Sequence, residues 1–536
     1  MKAAASIANS AWVAASLPAW RRFRAAVRDP AAAQRRRLLA CVRRNADTAF
    51  GREHGFGSIR TIEEYRDRVP IRGYDELEPW VTRIARGESF VLTAESVTRL
   101  VPSSGSTSAV KLIPFTRSLH RELAAGVGAW IADLYRRAPT LLGGPAYWSV
   151  TPVAGDSRPF VDADSVEASV VPIGFDDDAA YLGVVRAALA RRAVAVPPDV
   201  RLERDLDAFR HATLVHLLLA RDLRLVSVWH PSLFAGLLDA LREHWPRLVD
   251  EVGRRRRERA AELRRADPLD VRSIWPRLAV VSCWAHGPSA APAADLARRL
   301  GNVSVQPKGL LATEGVVSIP IGDRHPVAVT SHVVEFLDGA GRPRLAHELD
   351  DGGEYVVVLT TGGGLYRYRL ADRVRVSGFV EATPSLEFIG RDDRVSDRCG
   401  EKLSDGFVAG AIDRLFRSRV ARQPRFALLA ADAAEPGGRM AYTLFVESDD
   451  GLPDDLASGL ERELRRNPHY AWCVDLGQLR PARVMRVGPG AHAAYVERCR
   501  ADGQRLGDIK PVSLHPADGW RNALVRPMRQ RDRDAR

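Results

Sequence analysis

Val101-Pro-Ser-Ser-Gly-Ser-Thr-Ser-Ala-Val-Lys111 is the stretch of sequence on which the prediction of the fold depends. A short apolar segment leads into this run of hydroxylated residues and glycine, and the run closes on a lysine. Backbone N–H groups and hydroxyls in such a loop can bind phosphate oxygens, and the lysine adds a positive charge. The spacing is not that of a Walker A loop, because Gly105 lies six residues before Lys111. The segment predicts a phosphate-binding loop, with an ordinary Ser/Thr/Gly turn as the alternative. The expected contacts come from Ser103, Ser104, Gly105, Ser106, Thr107 and Lys111.

Around this loop, short apolar runs alternate with helical stretches from about residue 96 to residue 390, which is typical of an α/β domain. Ligands of open α/β sheets bind where loops leave the carboxyl ends of the strands. After Phe388 the pattern changes to a helix and a pair of strands around a Glu-Pro-Gly-Gly turn. We therefore predict a large N-terminal α/β domain at residues 1–390 and a smaller α+β C-terminal domain at residues 391–536. The strands expected from the sequence are residues 223–229, 278–284, 303–306, 355–359, 426–429 and 440–446.

The net charge of +12 raises the alternative of a basic nucleic-acid-binding regulator. The basic residues are spread along the chain and are accompanied by 67 acidic residues, so we predict no nucleic-acid partner. Only five of the 79 basic residues are lysines, and a planar guanidinium replaces a compact ammonium poorly. The lysines therefore deserve individual attention: they are Lys2, Lys111, Lys308, Lys402 and Lys510.

The cysteines are odd in number and far apart, and no CxxC pair is present, so neither a disulfide framework nor a zinc site is indicated. A reducing, cytoplasmic location is expected. The cysteines are Cys41, Cys283, Cys399, Cys473 and Cys499.

The uncharged residues 3–20 have the length of a signal peptide, but polar residues interrupt them and arginines follow instead of preceding them. We predict instead a helix that packs one apolar side, formed by Val13, Leu17, Trp20 and Val27, on the body of the protein. No other stretch approaches transmembrane length, so no membrane partner is expected.

Three further segments follow the phosphate loop in order. They are Leu311-Ala-Thr-Glu-Gly315, Tyr366-Arg-Tyr-Arg-Leu-Ala-Asp372 and Gly390-Arg-Asp-Asp393. With the loop, they resemble the sequence elements of the acyl-adenylate-forming enzymes. Residues 43–51 (Arg-Arg-Asn-Ala-Asp-Thr-Ala-Phe-Gly) and residues 69–74 (Val-Pro-Ile-Arg-Gly-Tyr) place the chain nearest to the auxin-responsive acyl-acid amido synthetases of plants and their bacterial relatives.

The resemblance implies a function and a set of residues. The chain would activate a carboxylic acid with ATP and Mg²⁺ as its acyl-adenylate and pass the acyl group to an amine such as an amino acid. Thr313 would contact the nucleotide, Glu314 would hold the metal, and Asp372 would bind the ribose hydroxyls. Gly390–Asp393 resembles the hinge between the large and small domains, and Arg391 in this segment would bind ribose or phosphate. Lys510, in Leu506-Gly-Asp-Ile-Lys510-Pro511, would reach from the small domain toward the forming acyl-phosphate bond.

Three positions depart from the family pattern. Ala371 stands where glycine usually precedes the aspartate, Leu311 replaces an aromatic residue near the adenine, and Ser108 stands where glycine is frequent. None of them removes a chemical group that the reaction needs.

The acid-binding pocket is the least constrained part. Trp229 and Trp284 end two predicted strands, so they are candidates for its walls, with core packing as the alternative. Lys308 and Lys402 are weaker catalytic candidates, because each could pair with a neighbouring acid or cap a loop. An acyl-coenzyme A ligase is the alternative enzyme. A monomer is expected.

Overall fold

A computed structural model describes most of the chain. The described residues are 2–103, 111–149, 170–173, 192–203, 205–392, 395–396, 398–399, 401–419, 423–432, 440–449, 451–476, 478–502, 504, 509 and 511–525. They form two compact units: unit 1 comprises Met1–His286 and Ala293–Phe388, and unit 2 comprises Gly287–Pro292 and Ile389–Arg536. Within the described ranges, no helix combines the length and the apolar character that crossing a bilayer requires.

Unit 1 begins with five helices, a β-hairpin and a long sixth helix. Thr116 begins that sixth helix, because its hydroxyl accepts a hydrogen bond from the backbone N–H of Leu119. The helices are α1 (Lys2–Ala26), α2 (Pro30–Arg44), α3 (Ala49–Glu53), α4 (Ile62–Arg68), α5 (Tyr74–Ala85) and α6 (Arg117–Arg137), and the hairpin strands are β1 (Arg99–Ser103) and β2 (Lys111–Phe115).

Helix α1 packs on the body of unit 1, as the sequence predicts, but its buried side is rotated. Trp12, Phe23 and the predicted Val27 are buried, whereas Val13, Leu17 and Trp20 are only partly buried. A Cβ at Gly128 of α6 would lie 3.2 Å from the Cβ of Ala19. The absence of a side chain at Gly128 therefore lets the two helices approach closely at this point.

The centre of unit 1 is a four-stranded parallel sheet in the order β3-β4-β5-β6. The predicted strands at residues 223–229, 278–284 and 303–306 are confirmed, each shorter or shifted by a few residues. The strands are β3 (Ala146–Trp148), β4 (Leu225–Ser227), β5 (Val280–Cys283) and β6 (Ser304–Pro307), and the helices are α7 (Leu206–Leu219), α8 (Pro231–Glu243), α9 (Trp245–Arg255), α10 (Arg257–Leu263), α11 (Val271–Ile274) and α12 (Ala290–Leu300).

A second sheet, antiparallel at its β10-β9-β7-β8 pairings, follows in the order β11-β10-β9-β7-β8. The predicted strand at 355–359 is confirmed as part of β9, which belongs to this second sheet. Only seven residues separate β9 from β10, whereas a parallel crossover needs about a dozen or more. The strands are β7 (Val333–Leu337), β8 (Pro343–Leu345), β9 (Glu354–Thr360), β10 (Tyr368–Val380) and β11 (Thr383–Arg391).

Unit 2 contains a mixed sheet in the order β16-β15-β14-β17, covered by helices. The predicted pair at residues 426–429 and 440–446 is confirmed as the antiparallel pair β14–β15. The predicted Glu-Pro-Gly-Gly turn lies outside the described residues. The elements are β12 (Val395–Ser396), β13 (Leu403–Ser404), α13 (Asp405–Arg419), β14 (Phe426–Asp432), β15 (Ala441–Glu447), α14 (Leu456–Leu464), α15 (Pro468–Asp475), β16 (Arg480–Arg486), α16 (Ala491–Ala501), β17 (Leu514–His515) and α17 (Trp520–Leu524).

Candidate active site

The hairpin β1–β2 brings the ends of the predicted phosphate loop to the Thr-Glu element. Ser103 pairs directly with Lys111, and the Ser103 hydroxyl donates a 2.9 Å hydrogen bond to Oε1 of Glu314. Ser103 and Glu314 are both buried, and Thr313 is half-buried. Ser103 and Glu314, both predicted site residues, are therefore neighbours although they lie 211 positions apart in sequence. The loop residues Ser104, Gly105, Ser106, Thr107 and Ser108 lie outside the described residues.

Tyr74 fixes the second strand of this hairpin. Its hydroxyl donates to the carbonyl of Leu112 and accepts from the backbone N–H of Leu112, at 3.2 and 2.6 Å. The Lys111 ammonium lies 5.9 Å from the centre of the Tyr74 ring. Burial raises the pKa of Tyr74 to about 12, so the phenol stays protonated near neutral pH. The sequence placed Tyr74 in a family-like segment but gave it no role.

A buried ionic network lies beneath the Thr-Glu element. His332 Nδ1 lies 2.9 Å from Glu122, which also pairs with Arg37 at 2.9 Å and accepts from the N–H of Gly362 at 2.8 Å. Burial alone would raise the pKa of Glu122, but the interaction with His332, the Arg37 guanidinium and the Gly362 N–H lower it overall. A Cβ at Gly315 would lie 2.9 Å from the His332 ring. The loop that carries Glu314 therefore rests directly on this histidine.

A β-bulge holds the predicted ribose-binding residue Asp372. The pairing of β10 with β9 shifts register between Arg369 and Arg373, and Asp372 is buried within this irregularity. Ala371 has φ +66°, in the left-handed region that favours glycine. The alanine noted from the sequence thus occupies a conformation in which the family's usual glycine would be unstrained.

Arg367 is a structural residue that the sequence did not single out. Its guanidinium binds both carboxylate oxygens of Glu335, at 3.0 and 3.1 Å, and donates to the carbonyl of Val69 at 2.8 Å. Tyr366 is buried beside it and stacks on Phe50 with ring centres 4.8 Å apart. The first half of the Tyr366–Asp372 element therefore anchors the strand from which Asp372 projects.

The other residues singled out from the sequence, namely the nucleotide-binding candidate Arg391 and the catalytic candidates Lys402 and Lys510, belong to unit 2. Arg391 ends β11 and is half-buried, whereas Lys402 is exposed with φ +46°. Lys510 lies outside the described residues.

The two predicted pocket tryptophans meet at the carboxyl edge of the parallel sheet. Trp229 and Trp284 follow β4 and β5, and their ring centres are 5.7 Å apart. The backbone N–H of Trp284 donates a 2.8 Å hydrogen bond to the backbone carbonyl of Trp229. Lys308, immediately after β6, is buried with its ammonium 4.7 Å from the centre of the Trp229 ring. This lysine, a weak candidate from sequence alone, therefore belongs to the same cluster.

Two cysteines distant in sequence approach one another in unit 2. The ligand atoms of Cys399, Glu401 and Cys473 lie within 4.8 Å of each other. Glu401 is already hydrogen-bonded by the Tyr442 hydroxyl and by the N–H groups of Arg398 and Cys399. Burial, with the Glu401 hydrogen bond, raises the pKa of Cys399 to about 12, so this thiol is protonated near neutral pH. We interpret this cluster as part of the fold.

Comparison with protein families assigns the chain. A model of the GH3 family N-terminal domain matches residues 19–303, more than half of the chain, and models of the GH3 central and C-terminal domains match residues 327–391 and 409–515. The chain belongs to the GH3 family. This confirms the resemblance drawn from the sequence motifs, and with it the enzyme class, an acyl-adenylate-forming ligase.

Curated GH3 relatives span nearly the whole chain. A probable indole-3-acetic acid-amido synthetase of Oryza sativa subsp. japonica is 26% identical, over 93% of this chain and 93% of the relative. A jasmonoyl–L-amino acid synthetase of Nicotiana attenuata is 23% identical, over 87% of this chain and 86% of the relative.

Solved structures support the same fold. A GH3 acyl acid amido synthetase in complex with 2,4-DB superposes with a TM-score of 0.78 at 17% identity, covering 95% of both chains. A 2-hydroxyisobutyryl-CoA ligase in the postadenylation state superposes with a TM-score of 0.51 at 12% identity, covering 91% of both chains. The predicted fold class, a large α/β domain of the acyl-adenylate-forming type with a smaller C-terminal domain, is confirmed.

Proposed function

We propose that this GH3-family chain joins a carboxylic acid to the α-phosphate of ATP and then transfers the acyl group to an amine, with an amino acid as the expected acceptor. In the first step a carboxylate oxygen bonds to the α-phosphorus, and the bond to the bridging oxygen breaks to release pyrophosphate. In the second step the amine nitrogen bonds to the acyl carbon, AMP leaves, and the nitrogen loses a proton. The carrying observation is the hydrogen bond from Ser103 to Glu314, which joins the loop to the Thr-Glu element.

Glu314 suits Mg²⁺, because this ion is usually held by one or two carboxylates together with substrate phosphates. Ser103 engages Oε1 of the buried carboxylate, and Oε2, which accepts no hydrogen bond from the described residues, would serve as a hard oxygen ligand beside the half-buried Thr313. Bound Mg²⁺ would neutralise charge on the phosphate oxygens. Thr313 would contact the nucleotide.

The other residues would hold the substrates and stabilise charge. Ser103, Lys111 and the loop residues 104–107 would bind phosphate oxygens through hydroxyls, N–H groups and one ammonium. Asp372 would accept hydrogen bonds from both ribose hydroxyls, and Arg391 would bind ribose or phosphate. Lys510 would stabilise negative charge that develops during adenylation.

The tryptophans at the sheet edge favour a flat, apolar acid. Trp229 and Trp284 are half-buried and tilted toward each other. Indole rings in this arrangement offer the large apolar contacts that aromatic ligands prefer. We expect a cytoplasmic monomer that acts on small molecules.

The experiment is a library of carboxylic acids screened by ATP-dependent pyrophosphate release, first in the wild type and then in Glu314→Ala. We expect release with at least one acid, a loss of about a hundredfold or more in the variant, and an unchanged unfolding midpoint. Glu53→Ala, at an exposed glutamate of the same unit, is the matched control. Normal release in Glu314→Ala at ordinary Mg²⁺ concentration would remove Glu314 from the site.

An acyl-coenzyme A ligase would use the same residues in the first step. Supplying amino acids or coenzyme A separately to the preformed adenylate distinguishes the two. Amide formation supports the proposal, and thioester formation alone contradicts it.

A further inference from the structure

A row of polar side chains crosses the parallel sheet of unit 1. The register pairs Trp148 with Ser227, Ser227 with Ser282, and Ser282 with Gln306. Side chains paired across neighbouring strands point to the same face of a sheet. Lys308 follows Gln306 by two residues and belongs to this face by alternation. We call these five residues the polar row.

Lys308 is the charged member of the polar row. Its ammonium donates to the Ser227 hydroxyl at 2.7 Å and lies between 4.7 and 5.8 Å from the ring centres of Trp130, Trp148 and Trp229. In the described part of the chain, no carboxylate forms an ion pair with it. An ammonium has three donors, and burying one without a counter-ion is strongly unfavourable.

Two other hydrogen-bond donors of the polar row lack an acceptor within the protein. Within the described residues, Nε1 of Trp148 and Oγ of Ser282 are buried without a hydrogen-bond partner. In contrast, Trp130 donates its Nε1–H to Gln306 at 3.1 Å. Buried donors are normally satisfied, so unsatisfied ones that flank an unpaired ammonium indicate an acceptor that binds from outside the chain.

We propose that the polar row is the binding site for an anionic oxygen of the acyl acid, with Lys308 as its specificity-determining residue. Lys308 supplies the charge, the Trp148 and Ser282 donors supply direction, and the indole rings enclose the apolar part of the acid. The inference rests on the proposed adenylation, because it assigns the acid substrate of that reaction to the carboxyl edge of the parallel sheet.

Two oxygens of the acid fit this chemistry: the carboxylate that is adenylated, or a second acceptor group at the far end of the acid. A matched pair of acids separates them, namely the best acid of the pyrophosphate screen with and without a distal hydroxyl or carboxylate. Weaker binding of both acids to Lys308→Met identifies the reacting carboxylate. Weaker binding of only the acid with the distal group identifies that group.

The experiment is titration calorimetry of these acids into wild type, Lys308→Met and the control Arg36→Met, which removes an exposed basic side chain of the same unit. Loss of a hydrogen bond to a charged group should weaken binding to Lys308→Met about tenfold or more. Arg36→Met should bind like wild type. If Lys308→Met does not fold, Lys308→Gln takes its place. Dissociation constants within twofold of wild type for both acids, as hydration or packing alone would give, overturn the proposal.

A second readout uses wild type only. Burial lowers the pKa of Lys308 to about 7, so the amine is largely neutral at pH 8, and an anion should draw a proton onto it. The titratable group that acts on Lys308 is the Cys283 thiol, whose pKa burial raises to about 12, so it does not titrate in this range. Binding enthalpies at pH 8 in two buffers of different ionisation enthalpy should reveal proton uptake approaching one per site. Zero uptake contradicts binding to Lys308.

The proposal and the proposed function fail separately. Absence of pyrophosphate release with every acid in the wild type rejects adenylation. Normal release together with unchanged acid affinity in Lys308→Met rejects only the polar row as the acid site.

Discussion

Replacing Lys308 by methionine should change how the stability of unit 1 depends on pH. The pKa of Lys308 falls from 10.5 to about 7 because the ammonium is buried. Each tenfold change in proton affinity corresponds to about 1.4 kcal/mol, so protonated Lys308 lowers the free energy of unfolding by about 5 kcal/mol. Only part of this difference develops between pH 7 and pH 10, because the folded lysine is half protonated at pH 7 and the unfolded lysine is still mostly protonated at pH 10.

The sign follows from proton linkage. Between pH 7 and pH 10.5 the unfolded chain holds a proton on this lysine that the folded chain lacks. The contribution of Lys308 to the free energy of unfolding therefore rises with pH in this interval. Below pH 7 the lysine is protonated in both states, so its contribution no longer changes with pH. Wild type should gain about 3 kcal/mol relative to Lys308→Met between pH 7 and pH 10.

Urea denaturation followed by tryptophan fluorescence, at steps of half a pH unit, measures this difference. Arg36→Met serves as control, and its curve should run parallel to that of wild type because Arg36 is an exposed side chain of unit 1. The reasoning is refuted if the difference between wild type and Lys308→Met stays constant from pH 7 to pH 10.

Three further predictions concern the nucleotide side of the site. Gly315→Ala should push the Glu314 loop away from His332 and slow pyrophosphate release at least tenfold at an unchanged unfolding midpoint. Adding His332→Ala should recover part of the rate. If neither change alters the rate, the contact between the loop and His332 is contradicted. Ala371→Gly should leave the free energy of unfolding unchanged or raise it by up to about 1 kcal/mol, because relief of the left-handed conformation offsets the added chain entropy. The control Ala14→Gly in α1 should lower the free energy of unfolding, measured by urea denaturation, by about 1 kcal/mol. An equal loss in both variants would disprove backbone strain at Ala371. Lys510→Ala should slow pyrophosphate exchange by about a hundredfold with little change in ATP affinity, and Lys510→Arg should not restore the rate; full activity in Lys510→Ala would exclude this lysine.

Local sequence signals carried much of the fold. The apolar runs at 278–284 and 426–446 predict β5 and the pair β14–β15, because strand length and turn residues are encoded locally. The buried side of α1 was predicted only in part: Val27 is buried, but Val13, Leu17 and Trp20 are partly buried, and the helix approaches Gly128, which lies more than a hundred residues away. Helix periodicity alone cannot supply such a contact.

The site divides in the same way. Glu314 and Asp372 were found through short motifs, in which neighbouring residues carry the signal. The cluster around Lys308 was not predicted from the sequence, because its tryptophans come from three separate elements with no shared motif. They are Trp130, Trp148 and Trp229. The rarity of lysine drew attention to Lys308, but its burial and its missing counter-ion are properties of the folded sheet.

The polar row also gives the sheet a built-in length scale. Neighbouring strands lie about 4.8 Å apart, so the four strand positions from Trp148 to Gln306 span about 14 Å. A hydroxyl moved from one strand of the row to the next would shift a hydrogen-bonding group by one strand spacing. With the acid bound at the polar row as proposed, the preferred length of the acid should therefore change in discrete steps, one strand at a time.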